Sequence, residues 1–197
     1  MSYEKIKQAS LTLFAQKGFE GTTIKDIAAQ SGLKPSSIYS HITSKEELFV
    51  IIWKECLKNS GKSVEKINNY VSNSKEDYDA QEILQQYQST IIKHFVKNKE
   101  EYLFLRQTTY FAKIKEELND NTFTNFMINQ NTVNFFKGFF IKLKQQDRII
   151  DESDESLFYG YIGAIICYLE EKVVYNIPLG DESIHKFWMM FWKGIKK

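Results

Sequence analysis

Apolar residues recur along this chain at intervals of three and four, the spacing of one face of an α-helix. Ile6, Ala9, Leu13 and Phe14 set the pattern for a first helix over residues 3–17, closed by Gly18. Ile24, Ile27 and Ala28 carry a second helix. Thr23 ahead of it, with Asp26 three residues on, forms a capping-box pattern, and Ser31-Gly32 supplies the stop. Pro35 suits the opening turn of a third helix, because its missing N–H had no partner there, and Ile38 and Ile42 can face inward. Ser44 and Glu47 repeat the capping pattern ahead of a longer helix beginning at Lys45. That helix carries Leu48, Phe49, Ile52, Trp53 and Cys56. It continues towards Tyr70, with Gly61 as a kink or an end, since glycine inside a helix costs about 1 kcal/mol relative to Ala.

Beyond a polar loop at 73–77 the same period holds. Asp79 caps a helix bearing Ile83, Leu84, Tyr87, Ile91 and Phe95. Further helices are predicted over 99–118, 121–146 and 151–176, the last stopping before Pro178. Asp181 is read as the cap of a final helix in which Ile184, Phe187, Trp188, Phe191, Trp192 and Ile195 form a continuous stripe. Two prolines, no hairpin signal and no sustained period-2 alternation leave an all-α fold.

The short helix pair with a glycine turn is the helix-turn-helix unit, whose second helix enters the DNA major groove. The stretch GFEGTTIKDIAAQSGLKPSSIYSHITSKEELF resembles the N-terminal domain of the TetR-type transcriptional regulators. The resemblance rests on Lys17-Gly18-Phe19, Gly21-Thr22-Thr23, Ile27-Ala28-Ala29 with Ser31-Gly32, Ile38-Tyr39, and Ser44-Lys45-Glu46-Glu47-Leu48. It covers roughly the first quarter of the chain, with several elements at fixed spacing. Where the family usually has an aromatic pair, this chain has His41-Ile42. The resemblance implies a DNA-binding domain over 1–50, its motif near 24–43, joined by a shared helix to a ligand-binding and dimerisation domain over 51–197. Base reading would fall to Lys34, Ser36, Ser37, Ser40 and His41, with Lys25 close by. Thr23, Tyr39 and Lys45 match family positions that contact phosphate. A solvated helix face is the plain alternative.

Composition narrows the classes. The 197 residues are 43% hydrophobic and 15% aromatic, enough for a packed core and against wholesale disorder. Net charge is only +1; residues 1–50 hold six lysines and five acidic residues, the remainder 20 of each sign. A DNA partner therefore rests on where Lys25, Lys34 and Lys45 fall, not on bulk charge. Cys56 and Cys167 have neither metal spacing nor a disulfide framework, which suits a reducing cytoplasm. No leader segment and no long apolar run are seen, so secretion and membrane spanning are not expected. His41, His94 and His185 are scattered and no glycine loop cradles a phosphate, so neither enzyme, cofactor nor metal is expected.

In the second part, Gly160, Gly163, Ala164 and Cys167 permit close helix approach, flanked by Tyr161, Ile165, Tyr168 and Leu169. Packing within the chain alone can explain this. The resemblance implies that the last two helices pair with their copies in a homodimer, through Tyr161, Ala164, Ile165, Tyr168, Trp188 and Trp192. The central aromatics permit an apolar cavity, and the resemblance implies an effector pocket there. Its candidates are Tyr102, Arg106, Tyr110, Phe126, Phe136 and Phe139. Arg106, one of two arginines, lies among apolar positions and needs a partner, either Glu100, Glu101 or Glu170, or the polar end of an effector. The expectation is a cytoplasmic, homodimeric repressor released from a double-stranded DNA operator by a small apolar or amphipathic molecule. The alternative is a helical ligand-binding or scaffold protein with a degenerate DNA-binding helix.

Overall fold

The computed structural model describes residues 2–73, 79–107, 130–178 and 180–197. Their helices are α1 Ser2–Lys17, α2 Ile24–Ser31, α3 Pro35–Ile38, α4 Lys45–Asn73, α5 Ala80–Lys97, α6 Lys99–Leu105, α7 Gln130–Gln145, α8 Asp154–Leu169 and α9 Asp181–Ile195. A π-helical segment, Glu170–Val174, continues α8. No strand occurs among the described residues, only an antiparallel bridge between Ile149 and Lys196. The chain divides into two compact units, one from residues up to Asn59 with those from Asn98, the other from Ser60–Lys97 with the C-terminal part. Helix α4 is shared between them and runs unbroken across Gly61. The boundary expected at 50/51 thus falls inside α4, and α6, expected in the second domain, belongs to the first unit.

The first unit closes around Phe49. Ile6, Ala9, Leu13 and Phe14 of α1, Ile27 and Ala28 of α2, and Ile38 and Ile42 are buried with Leu48 and Phe49. The Phe49 ring meets those of Phe14, Phe19 and Phe104 at 5.3, 5.2 and 4.8 Å, all edge-on. Phe104 comes from α6, and Gln107 just beyond it donates to the α1 carbonyls of Phe14 (2.5 Å) and Ala15 (3.2 Å). The C-terminal carbonyls of α1 are thereby satisfied by a residue 92 or 93 positions away.

In the second unit, Tyr87 of α5, Phe136 of α7 and Tyr161 of α8 form the centre, with Phe136 at 4.7 Å from Tyr87 and 5.0 Å from Tyr161. The Tyr161 hydroxyl donates to the Leu84 carbonyl at 2.6 Å. Lys144 pairs with Asp154 at 2.7 Å, and Lys137 with Glu155 at 3.0 Å, both at the α8 N-terminus where acidic residues oppose the positive helix end. Ser153 caps α8 by accepting from the Ser156 N–H. The final helix is capped by the Gly180 backbone without a side-chain bond, and Asp181, the expected cap, is its first residue.

Burial pushes the Tyr161 hydroxyl well above the ordinary tyrosine value of 10.0, and pushes Tyr87 up to about 12. Both stay neutral in the fold after the unfolded chain has ionised, so their contribution is complete below pH 10 and fades as pH rises towards 12 and beyond. The second unit is accordingly expected to melt more easily in that alkaline window. Tyr161→Phe should start less stable, having lost the bond to Leu84, yet decline less with pH in a circular-dichroism titration. An equal decline in both proteins would remove Tyr161 as the cause.

Candidate nucleic-acid interface

Local capping sets the orientation of α2. Thr23 Oγ accepts from the Asp26 N–H at 3.1 Å, and Asp26 Oδ2 accepts from Thr23 N at 3.0 Å and Oγ at 2.7 Å. These bonds hold the exposed Asp26 carboxyl below the usual range. At the other end Gly32 adopts a left-handed φ of 70°, its N–H bonds to Ala29 O, and Leu33 N bonds to Ala28 O. This pair of bonds is the Schellman termination, which tolerates a glycine where a Cβ would be strained.

Helix α3 opens at Pro35, as expected, but is a single turn. Tyr39 to His41 continue as turns, with His41 N and Ile42 N both bonding to Ile38 O. Ile38 and Ile42 are buried, so the remaining positions point outward. Lys34, Ser36, Ser40, His41, Lys25 and Thr23 are exposed, Ser37 is half-buried, and Tyr39 is 59% exposed. A packing role for Tyr39 is thus ruled out. The Ser40 hydroxyl donates to Ser37 O at 2.8 Å, leaving its lone pairs outward. His41 is also tied to α1: its ring stacks on Tyr3 at 5.9 Å, and Nε2 lies 3.2 Å from Ser2 Oγ.

The second capping pattern is displaced by one residue. Ser44 Oγ accepts from Glu47 N at 3.0 Å, as expected. The Glu47 carboxylate, however, takes its main bonds from Thr43 N (2.6 Å) and Thr43 Oγ (2.7 Å). Lys45 is the larger departure. Its ammonium donates to Phe19 O at 2.8 Å and Thr22 O at 3.0 Å and sits 4.1 Å from the centre of the Phe19 ring. An ammonium has three donors, so one remains for an outside acceptor. Lys45 therefore fastens the loop that presents Thr23 to the start of α4. Nothing in the local sequence signals this, because the partners lie 23 and 26 residues away.

Thr23, Tyr39 and Lys45 share the wall of one open hollow of about 420 Å³, together with Thr22, Thr43 and Ser44. Glu20 and Glu46 also border it and were not anticipated. Hydroxyls, a phenol and a lysine on one concave surface suit an anion, though the two carboxylates limit its depth.

The other expected sites fare differently. Arg106 is exposed, because α6 ends at Leu105 and places it at the helix end instead of among apolar faces. Tyr102 is fully buried in the first unit, whereas Phe136 and Phe139 are buried in the second. Tyr110 and Phe126 lie outside the described residues. Tyr161, Ile165, Tyr168, Trp188 and Trp192 are each 7% exposed or less and pack within their own unit, and only Ala164 is half-buried. The apolar stripes of α8 and α9 face inward for the ordinary reason that they close the core. The outward stripe is Tyr159, Gly163 and Cys167 on α8 with Phe187 and Met190 on α9.

Residues 6–51 match the family model for bacterial regulatory proteins of the tetR family. The chain is 37% identical over 67 residues to IcaR of Staphylococcus epidermidis, the negative transcriptional regulator of the icaADBC biofilm operon, a match covering 34% of this chain and 30% of IcaR. It thus spans less than a third of that relative's length. IcaR of Staphylococcus aureus strain Newman is 25% identical over 151 residues, covering 73% of this chain and 74% of the other. Among solved structures, AibR in complex with isovaleryl coenzyme A and operator DNA superimposes with a TM-score of 0.73 at 18% identity, over 98% of this chain and 99% of AibR. That likeness extends the fold beyond the segment matched by the family model. Residues 6–51 thus resemble the regulatory domain of the bacterial tetR family, and the chain as a whole shares the fold of the solved structure on which it superimposes.

Proposed function

We propose that this protein is a cytoplasmic, sequence-specific DNA-binding regulator, a repressor that acts as a homodimer and leaves its operator when a small apolar or amphipathic molecule binds. The observation that carries the reading is the gathering of Thr23, Tyr39 and Lys45 around one hollow, with Lys34, Ser36 and Ser40 exposed on the adjoining turn. Thr23, Tyr39 and Lys45 hold phosphate, while Lys34, Ser37 and the exposed serines read base edges. The naming of IcaR as a negative regulator supports repression. The AibR complex, with both an acyl coenzyme A and operator DNA, supports release by a ligand. A dimer supplies two reading heads for two half-sites, and the outward stripe of Tyr159, Gly163, Cys167, Phe187 and Met190 is its contact surface. A ligand that favours one dimer shape shifts the separation of the heads through α4, the helix shared by both units.

Selection of bound duplexes from a random DNA pool, followed by salt titration of the winner, tests this reading. Binding should weaken steeply with salt. Lys34→Ala and Ser37→Ala should alter the preferred bases, at about 1–3 kcal/mol for the position affected. Tyr39→Ala should weaken all duplexes alike. Lys45→Met should lower the salt slope by about 1 and also lower the melting temperature, since two carbonyls lose their donor. Failure to enrich any sequence, with binding insensitive to salt, would sink the proposal.

A further inference from the structure

We propose that a groove within the second unit, between α5, the π-helical end of α8 and the start of α9, binds a small organic anion with an apolar body. The groove encloses about 560 Å³, inside the range of small-molecule sites. Lys93, Lys97, Lys172 and His185 line it, with no carboxylate among the described lining residues. Ile92 and Ile184 add aliphatic surface to the same wall. The exposed ammonium groups of Lys93 and Lys97 on one concavity repel one another, and a bound anion converts that repulsion into attraction.

Surface lysines alone would not define a site; the buried groups do. Trp188 lines the groove at 2% exposure, and its indole N–H is buried with no acceptor. An indole nitrogen can only donate, so a ligand oxygen is the kind of group that satisfies it. Gln88, equally buried, offers an amide to the same space. The segment carrying Lys172 is wound as a π-helix, with Tyr175 N bonding to Glu170 O five residues back at 3.0 Å. The wider turn places Lys172 differently from a continued α-helix, and such turns are frequent at functional sites. A carboxylate or similar head among the lysines and the indole N–H, with its hydrocarbon along Ile92 and Ile184, fits this arrangement.

The site rests on the second unit alone; only its role as the effector site rests on the regulator reading above. Calorimetric titration of the full chain with octanoate, and with 1-octanol as the uncharged counterpart, tests it. Octanoate should bind one site per chain, on the order of tenfold tighter than octanol. Lys93→Gln with Lys97→Gln, both at exposed positions, should leave the fold intact and weaken octanoate by about tenfold without changing octanol. Trp188→Phe keeps an aromatic but smaller side chain and removes the N–H, and should weaken octanoate more than octanol. Equal affinity for the two probes, wild-type affinity in the double lysine variant, or a groove closed by a second copy and giving no binding heat would each overturn the proposal. Release of operator DNA is measured separately. Octanoate that binds yet leaves DNA bound removes only the effector role, whereas octanoate that fails to bind leaves the DNA reading standing.

Discussion

Phe49→Ala is expected to cost the first unit about 3–5 kcal/mol, because a large buried ring is lost and the cavity left behind closes only in part. The site cannot collapse easily. Phe14, Phe19 and Phe104 all lean edge-on against this ring, and they come from α1, the loop after it and α6. Each is anchored elsewhere, Phe19 by the Lys45 ammonium over its face and at its carbonyl. A drop of more than about 10 °C in the melting of this unit follows from the usual scaling for a domain of this size. Duplex affinity should fall with it, since the loop bearing Thr23 packs through Phe19. Phe49→Leu keeps most of the volume and should cost far less. A melting temperature unchanged in Phe49→Ala would mean that the cluster is not the core.

Ile165→Glu is expected to unfold the second unit instead of releasing a folded monomer. The Ile165 side chain is 4% exposed inside a single chain, so the introduced charge is buried away from water. Losses of about 4 kcal/mol or more are typical of that mechanism. Gly163→Glu is the contrasting substitution. Gly163 is exposed and an added Cβ would meet nothing within 4 Å, so one chain accepts the glutamate and a dimer packed on that stripe does not. Sedimentation velocity with circular dichroism should show an unfolded Ile165→Glu and a folded, monomeric Gly163→Glu. A Gly163→Glu protein that stays dimeric would move the subunit contact to another face.

The contrast between those variants shows what periodicity can and cannot report. The i, i+3, i+4 pattern marks which side of α8 and α9 avoids water, and Tyr161, Ile165, Trp188 and Trp192 do avoid it. It does not say whether the shelter is the same chain or another copy, because both present the same chemistry. Local bonds were legible: the Thr23–Asp26 box and the Gly32 stop span three or four residues and leave their signature in the residue types. Bonds that span the fold were not. Lys45 reaching Phe19 O, Gln107 reaching Phe14 O and Tyr161 reaching Leu84 O join groups 26, 93 and 77 positions apart. The misplacement of Arg106 has a similar origin. Neither glycine nor proline marks the end of α6, so an apolar run suggested a helix continuing past it.

The division of labour around the single-turn α3 bears on how such a protein can diverge. Pro35, Ile38 and Ile42 hold the turn, whereas Lys34, Ser36 and Ser40 are exposed beside it. Substitutions at those exposed positions are nearly neutral for folding, so, on the base-reading role proposed above, a lineage can wander to a new operator without crossing an unfolded intermediate. Thr23 and Lys45 have no such freedom, since each also holds the loop before α2. Backbone grip would therefore stay fixed while sequence preference drifts, and duplicated copies of the gene could part company in their targets long before they part in shape.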